Sequence, residues 1–152
     1  MAVLSVTFAL LLTFLGLSIA APPPGAIEKN TPEHQALWTI YYKIGNNRIG
    51  NLDFDNPGYG ADVFPVHSIS IHDCNVDTGY RKQGVATKLV RYLIDQILRK
   101  YPDILDVHLN VKRGHSNEGA IALYLSVGFQ WDVKDKSERE KEGDYGMTLA
   151  VK

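Results

Sequence analysis

At 152 residues the chain has room for one domain, and about 130 residues remain for a single core once an apolar leader is set aside. Sixteen basic residues stand against seventeen acidic ones, so no basic field supports binding to nucleic acid through its phosphates. The only cysteine is Cys74, which excludes an intrachain disulfide; its thiol reads as a small buried apolar group rather than a nucleophile.

Residues 1–21 carry no charge, and a Leu/Phe-rich centre gives way to small residues, the order of parts in a secretory signal. Cleavage after Ala20 places Ser18 and Ala20 at the small-residue positions and keeps Pro22 away from the cut. The expected signal peptide is therefore 1–20, and the expected location is outside the cell or in a secretory lumen. No Lys or Arg lies near Met1, so an uncleaved membrane anchor is the alternative. Residues 21–34 are proline-rich and read as an extended linker, with the folded domain at 35–152.

The run 36–43 is β-branched and aromatic, and Asn46-Asn47 separates it from 48–54, which predicts a hairpin. Pro57, Gly58 and Gly60 mark a loop at 56–62, before a third strand at 66–73. From 84 to 101, Val85, Leu89, Leu93 and Ile97 form one helical row, and Ala86, Val90, Ile94 and Leu98 a second. Pro102 ends this helix. In 106–111, Val107, Leu109 and Val111 alternate with polar residues, as in a strand, and a second helix at 117–127 stops at Gly128. Two last strands, 129–134 and 145–151, flank a charged stretch, 135–144, that reads as a solvated loop. The order ββ–βαβ–αββ predicts an α/β fold on a mixed sheet, with a right-handed crossover between 66 and 111.

The segment Val76-Asp-Thr-Gly-Tyr-Arg-Lys-Gln-Gly-Val-Ala86 runs from a strand through a tight loop into the long helix. Such a junction offers unpaired backbone N–H groups and the positive end of the helix dipole, which together hold a pyrophosphate. Gly84 leaves room for the approach, Ala86 keeps the next turn thin, and Arg81 and Lys82 can add charged contacts.

Arg81-x-x-Gly84-x-Ala86 resembles the Arg/Gln-x-x-Gly-x-Gly/Ala loop of the GNAT superfamily of N-acetyltransferases. Downstream, Asn117-x-x-Ala120-x-x-x-Tyr124-x-x-x-Gly128-Phe129 is similar to that superfamily's second motif. The resemblance implies a GNAT-like acyl-CoA N-acyltransferase fold, with acetyl-CoA as cosubstrate and an amine as acceptor. It implies that strand 73–76 splays from strand 107–111 and that the pantetheine lies in the gap. The amide of Val76 would polarise the thioester carbonyl, and Gln83, Gly84, Val85, Ala86 and Thr87 would hold the pyrophosphate, helped by Arg81 and Lys82. Tyr124 would protonate the departing thiolate after direct attack by the amine, with no acyl-enzyme. On residue type alone, Tyr124 reads as a core residue among Ile121, Leu123 and Leu125, and the motif spacing carries the catalytic reading. Asn117 is expected to cap its helix and to face the pantetheine.

His72 and Asp73 are the candidate general bases beside the cleft. Strand alternation points them to opposite faces unless a bulge intervenes, and a water chain is a third route. His115, in a loop at the mouth of the cleft, is a candidate acceptor-side residue. The five histidines show no metal-ligand spacing. The superfamily usually places a strand and two helices ahead of the hairpin, and 21–35 is too short for them. The cleft is therefore expected to be open, suited to a small amine, or completed by a second subunit in a homodimer. Export away from a supply of acetyl-CoA leaves a non-catalytic interaction module as the competing function.

Overall fold

A computed structural model describes residues 24–60, 66–112, 117–142 and 145–151. The expected signal at 1–20 and His115 lie outside these residues. Seven strands, β1 (Ala26–Asn30), β2 (Leu37–Ile44), β3 (Asn47–Asp55), β4 (Ser68–Val76), β5 (Asp106–Asn110), β6 (Gln130–Trp131) and β7 (Gly146–Ala150), form one sheet in the order β1-β2-β3-β4-β5-β7-β6. All neighbours are antiparallel except β4 and β5, which are parallel. Parallel strands need a crossover, and helix α1 (Val85–Tyr92) lies on it. Helices α2 (Glu118–Val127) and α3 (Lys136–Glu142) follow β5 and β6. The mixed-sheet α/β class read from the sequence is the observed one.

Period-two alternation decides which side of the sheet is dry. Trp38, Ile40 and Tyr42 of β2 are buried opposite Phe54, Leu52 and Gly50 of β3, and this face continues through Ile69 and Ile71 to Val107, Leu109 and Met147. α1 lays Val85, Leu89 and Val90 on it, each fully buried. Removing one such aliphatic side chain from water contributes roughly 1.5–3 kcal/mol. The other face carries Thr39, Tyr41, Asn51, Asp53, Asp55, His72, Asp73 and His108, and none of these is buried. Both larger helices thus sit on one side of the sheet, and the opposite side is polar and open among the described residues.

Several elements differ from expectation. The segment read as a linker contains β1, which pairs along β2 and packs Ile27 against the core. Gly25 makes this approach feasible, because a Cβ there would fall 2.5 Å from the Lys43 carbonyl oxygen. A strand ahead of the hairpin, expected to be missing, is therefore present, and residues 31–36 join it to β2 without a helix. The hairpin turns at Gly45-Asn46, with Gly45 at φ 57°, rather than at Asn46-Asn47. β4 runs on to Val76, and β6 is two residues long. The long helix keeps α geometry only to Tyr92, then widens at Leu93–Ile97 and tightens at Leu98–Lys100. The change of pitch leaves Ile97 and Leu98 both buried. The expected loop at 135–144 contains α3. Asp135 Oδ1 accepts the backbone N–H groups of Ser137 at 2.8 Å and Glu138 at 3.1 Å, a side-chain N-cap. Its carboxyl is held below the usual carboxylate range by the Ser137 side chain and then by these amides.

Candidate active site

The two parallel strands pair from Ser68↔Asp106 only as far as Ile71↔Leu109. Past that point β4 keeps its pairing with β3, through Asp53↔Asp73, Leu52↔Cys74, Asn51↔Asn75 and Gly50↔Val76, while β5 has no further partner on it. The sheet is therefore open from His72 onward. Asp77 N donates to Ile49 O at 2.9 Å, and antiparallel ladders alternate their bonds residue by residue. The N–H groups of Cys74 and Val76 are thereby directed away from β3, towards the opening.

Beyond Val76 the chain makes a 3-10 turn at Thr78–Tyr80 and enters α1 through Arg81, Lys82, Gln83 and Gly84. Gly84 adopts φ 79°, the left-handed region open to glycine, and Lys82 is held at φ 59° despite its side chain. The first helical bond is Lys88 N to Gly84 O at 3.0 Å, so the amides of Val85, Ala86 and Thr87 have no acceptor within the helix. No side chain caps them, and no acidic residue lies in the first turn. Arg81 Nε donates to Val76 O at 2.9 Å and Gln83 Nε2 to Gly79 O at 3.2 Å, so both side chains brace the loop. Val85 is buried and offers the site its amide alone. Its packing depends on Gly50, where a Cβ would come within 3.1 Å of both Val85 Cγ1 and Asn75 O. Uncapped amides beside exposed Arg81 and Lys82 fit a diphosphate.

On the helix side of the opening, Tyr124 is 8% exposed and stacks edge-on against Phe129 at 5.5 Å. Gly128, at φ 114°, ends α2, and Phe129 N returns to Tyr124 O at 3.0 Å, which fixes the turn carrying the phenol. The phenol of Tyr124 and the Cys74 thiol on β4 act on each other's ionisation. Burial pushes the thiol up to about 12 against the opposing pull of the Tyr124 side chain. Burial, and then Cys74, raise the phenol above its usual range. Both groups are protonated at neutral pH. Asn117 departs from expectation: its side chain caps nothing and donates instead to the Lys112 carbonyl.

The open face of the sheet carries the candidate bases. The β3–β4 register jumps from Asp53↔Asp73 to Phe54↔Ile71, leaving His72 without an opposite residue. This bulge overturns strict alternation, and His72 and Asp73 are both exposed. His72 Nε2 lies 2.6 Å from Asp55 Oδ1, and Asp73 accepts from the Asn75 side chain. Asp55 did not stand out in the sequence, because it ends a strand and meets His72 only through a cross-strand register.

A mixed sheet parted between two parallel strands, with an uncapped helix start at the mouth of the gap, defines the acyl-CoA N-acyltransferase fold. The chain belongs to the Acetyltransferase (GNAT) family, whose model matches residues 21–129. Among solved structures it resembles the PaiA N-acetyltransferase of Thermoplasma acidophilum in complex with coenzyme A (TM-score 0.57, 16% identity, 76% of this chain and 61% of that one). It also resembles the IAA acetyltransferase of Bacillus cereus (0.60, 16%, 84% and 99%) and the ribosomal-protein-S18-alanine N-acetyltransferase of Escherichia coli (0.55, 19%, 77% and 70%). At these identities the likeness is one of fold. The chain spans about three fifths of the length of PaiA. No curated protein sequence is significantly similar to it.

Proposed function

We propose that this family member transfers the acetyl group of acetyl-CoA to a primary amine by direct attack. The observation that carries this reading is the parting of β4 from β5 beside the uncapped start of α1. In this reading the amides of residues 85–87 bind the pyrophosphate, aided by Arg81 and Lys82, and the Val76 amide lies along the opening for the thioester carbonyl. Tyr124 lies on the helix side of the opening and His72 on the other. An acid for the departing sulfur and a base for the attacking amine are then separated by the sheet itself, so the amine approaches over the open face. Asp73, beside His72, is engaged by the Asn75 side chain, which favours His72 as the base.

Purified protein lacking residues 1–20, incubated with acetyl-CoA and a panel of amines, should release free thiol and acetylated amine in equal amounts. Tight binding of coenzyme A with no turnover on any amine would overturn acetyl transfer. We further infer export, from the secretory signal read at 1–20; N-terminal sequencing of the protein recovered from cells should begin at Ala21, and an intact Met1 would count against cleavage.

A further inference from the structure

Both oxygens of Asp55 are committed. Oδ2 accepts the Ser70 backbone N–H at 2.8 Å, and Oδ1 meets His72 Nε2 at 2.6 Å. The first bond ties the carboxylate to β4 itself, two residues before His72, where the bulge interrupts the ladder between β3 and β4. With side chains 37% and 46% exposed, the Asp55–His72 pair adds little to stability. Its consequence is orientation. A carboxylate can only accept, so the proton of the neutral ring sits on Nε2 and Nδ1 keeps the lone pair. His72 is also the first residue of β4 past the last pair with β5, at the root of the opening.

We infer that Asp55 is the positioning residue for His72, holding the imidazole at the opening in the tautomer whose Nδ1 accepts the proton of the attacking amine. This rests on the acetyl-transfer reading with His72 as base. The amine nitrogen bonds to the acetyl carbon while the carbon–sulfur bond breaks. The nitrogen's proton passes to His72 Nδ1, the sulfur takes one from Tyr124, and exchange with solvent restores both side chains. The titratable groups on the same face of β3, β4 and β5 as His72 are Asp53, Asp55 and Asp73, with Asp106 and His108 further along β5 opposite Ser68 and Ser70; α1 packs on the other face.

The test pairs ring 15N spectra of the protein from residue 21 onward with steady-state kinetics. Asp55→Asn keeps an oxygen for the Ser70 amide, so the strand end survives while the carboxylate is lost. The wild-type His72 signal, identified by its loss in His72→Gln, should report the Nε2–H tautomer, and Asp55→Asn should shift it. The same substitution should lower kcat about 10–100-fold with little change in KM for acetyl-CoA, and it should alter the acid limb of the kcat–pH profile. Asp55→Glu should restore part of the activity, and the double variant should be no slower than His72→Gln alone. An unchanged tautomer and kcat in Asp55→Asn, or losses that multiply in the double variant, would overturn the proposal. If the wild type acetylates no amine, the acetyl-transfer reading has failed, and the ring tautomer alone then decides whether Asp55 holds His72.

Discussion

The phenol of Tyr124 and the thiol of Cys74 meet beneath the opening between β4 and β5, one reaching down from α2 and the other up from the floor of the sheet. Because burial and Cys74 both raise the phenol, Tyr124 stays protonated well above neutral pH and is available as an acid throughout the physiological range. Tyr124→Phe should lower kcat about 100-fold, with KM for acetyl-CoA nearly unchanged, because in the proposed mechanism only the proton donated late in the reaction is lost. A variant with wild-type kcat would remove Tyr124 from the chemistry and return it to the core.

Burial of the Cys74 thiol makes stability depend on alkaline pH. The Cys74 thiol ionises at about 12 in the folded chain against 9.0 for an unperturbed thiol. Below pH 9 folded and unfolded chains both keep this proton; above it the unfolded chain releases the proton while the native chain retains it, so stability falls as pH rises. The stability difference between wild type and Cys74→Ala, measured by urea unfolding from pH 7 to 11, should be flat at first and then move against the wild type. A difference that does not vary with pH would show that the thiol is not insulated.

Gly84 and Gly45 share a left-handed backbone, at φ 79° and 57°, but occupy different places. Alanine at either position should cost about 1 kcal/mol of stability. Only Gly84→Ala should also weaken acetyl-CoA, by about tenfold in a calorimetric titration, because it disturbs the amides at the start of α1. Equal affinities for the two variants would separate the loop from cosubstrate binding.

What the sequence made legible was local. The loop from Val76 to Ala86 and the two helical rows beginning at Val85 and Ala86 can be read from spacing, and they place α1 and its uncapped start correctly. What depends on partners from elsewhere in the chain was not legible. Ala26–Asn30 is too short and too close to prolines to show a period, and only pairing with β2 makes it a strand. The bulge that brings His72 and Asp73 to one face exists only in the β3–β4 register. Asp135 at the head of α3 was the opposite case, a side-chain cap that a search for Asp-x-x-Glu starts could have found.

Strand β1 supplies a test of that difference. If residues 21–34 were a linker, a chain beginning at residue 35 would be as stable as one beginning at 21. Pairing along β2 and the burial of Ile27 predict instead that the shorter chain loses at least 2 kcal/mol in denaturant unfolding, and that Gly25→Val reproduces part of the loss by collision with Tyr42 and Lys43. Matching midpoints for the two chains would make β1 dispensable.

Gly50 tests whether the proposed anion site depends on packing that never touches a ligand. A methyl group there would press on Val85 Cγ1 and on the Asn75 carbonyl oxygen, each 3.1 Å away, and neither can move without shifting the first turn of α1 or the end of β4. Gly50→Ala should therefore lower stability by about 1–3 kcal/mol and weaken acetyl-CoA several-fold. Gly79→Ala, with nothing within 4 Å, should alter neither, although it lies within the loop from Val76 to Ala86. If Gly50→Ala loses stability but binds acetyl-CoA as the wild type does, the start of α1 tolerates displacement, and the placing of its amides is set by the loop from Arg81 to Gly84 rather than by the sheet beneath.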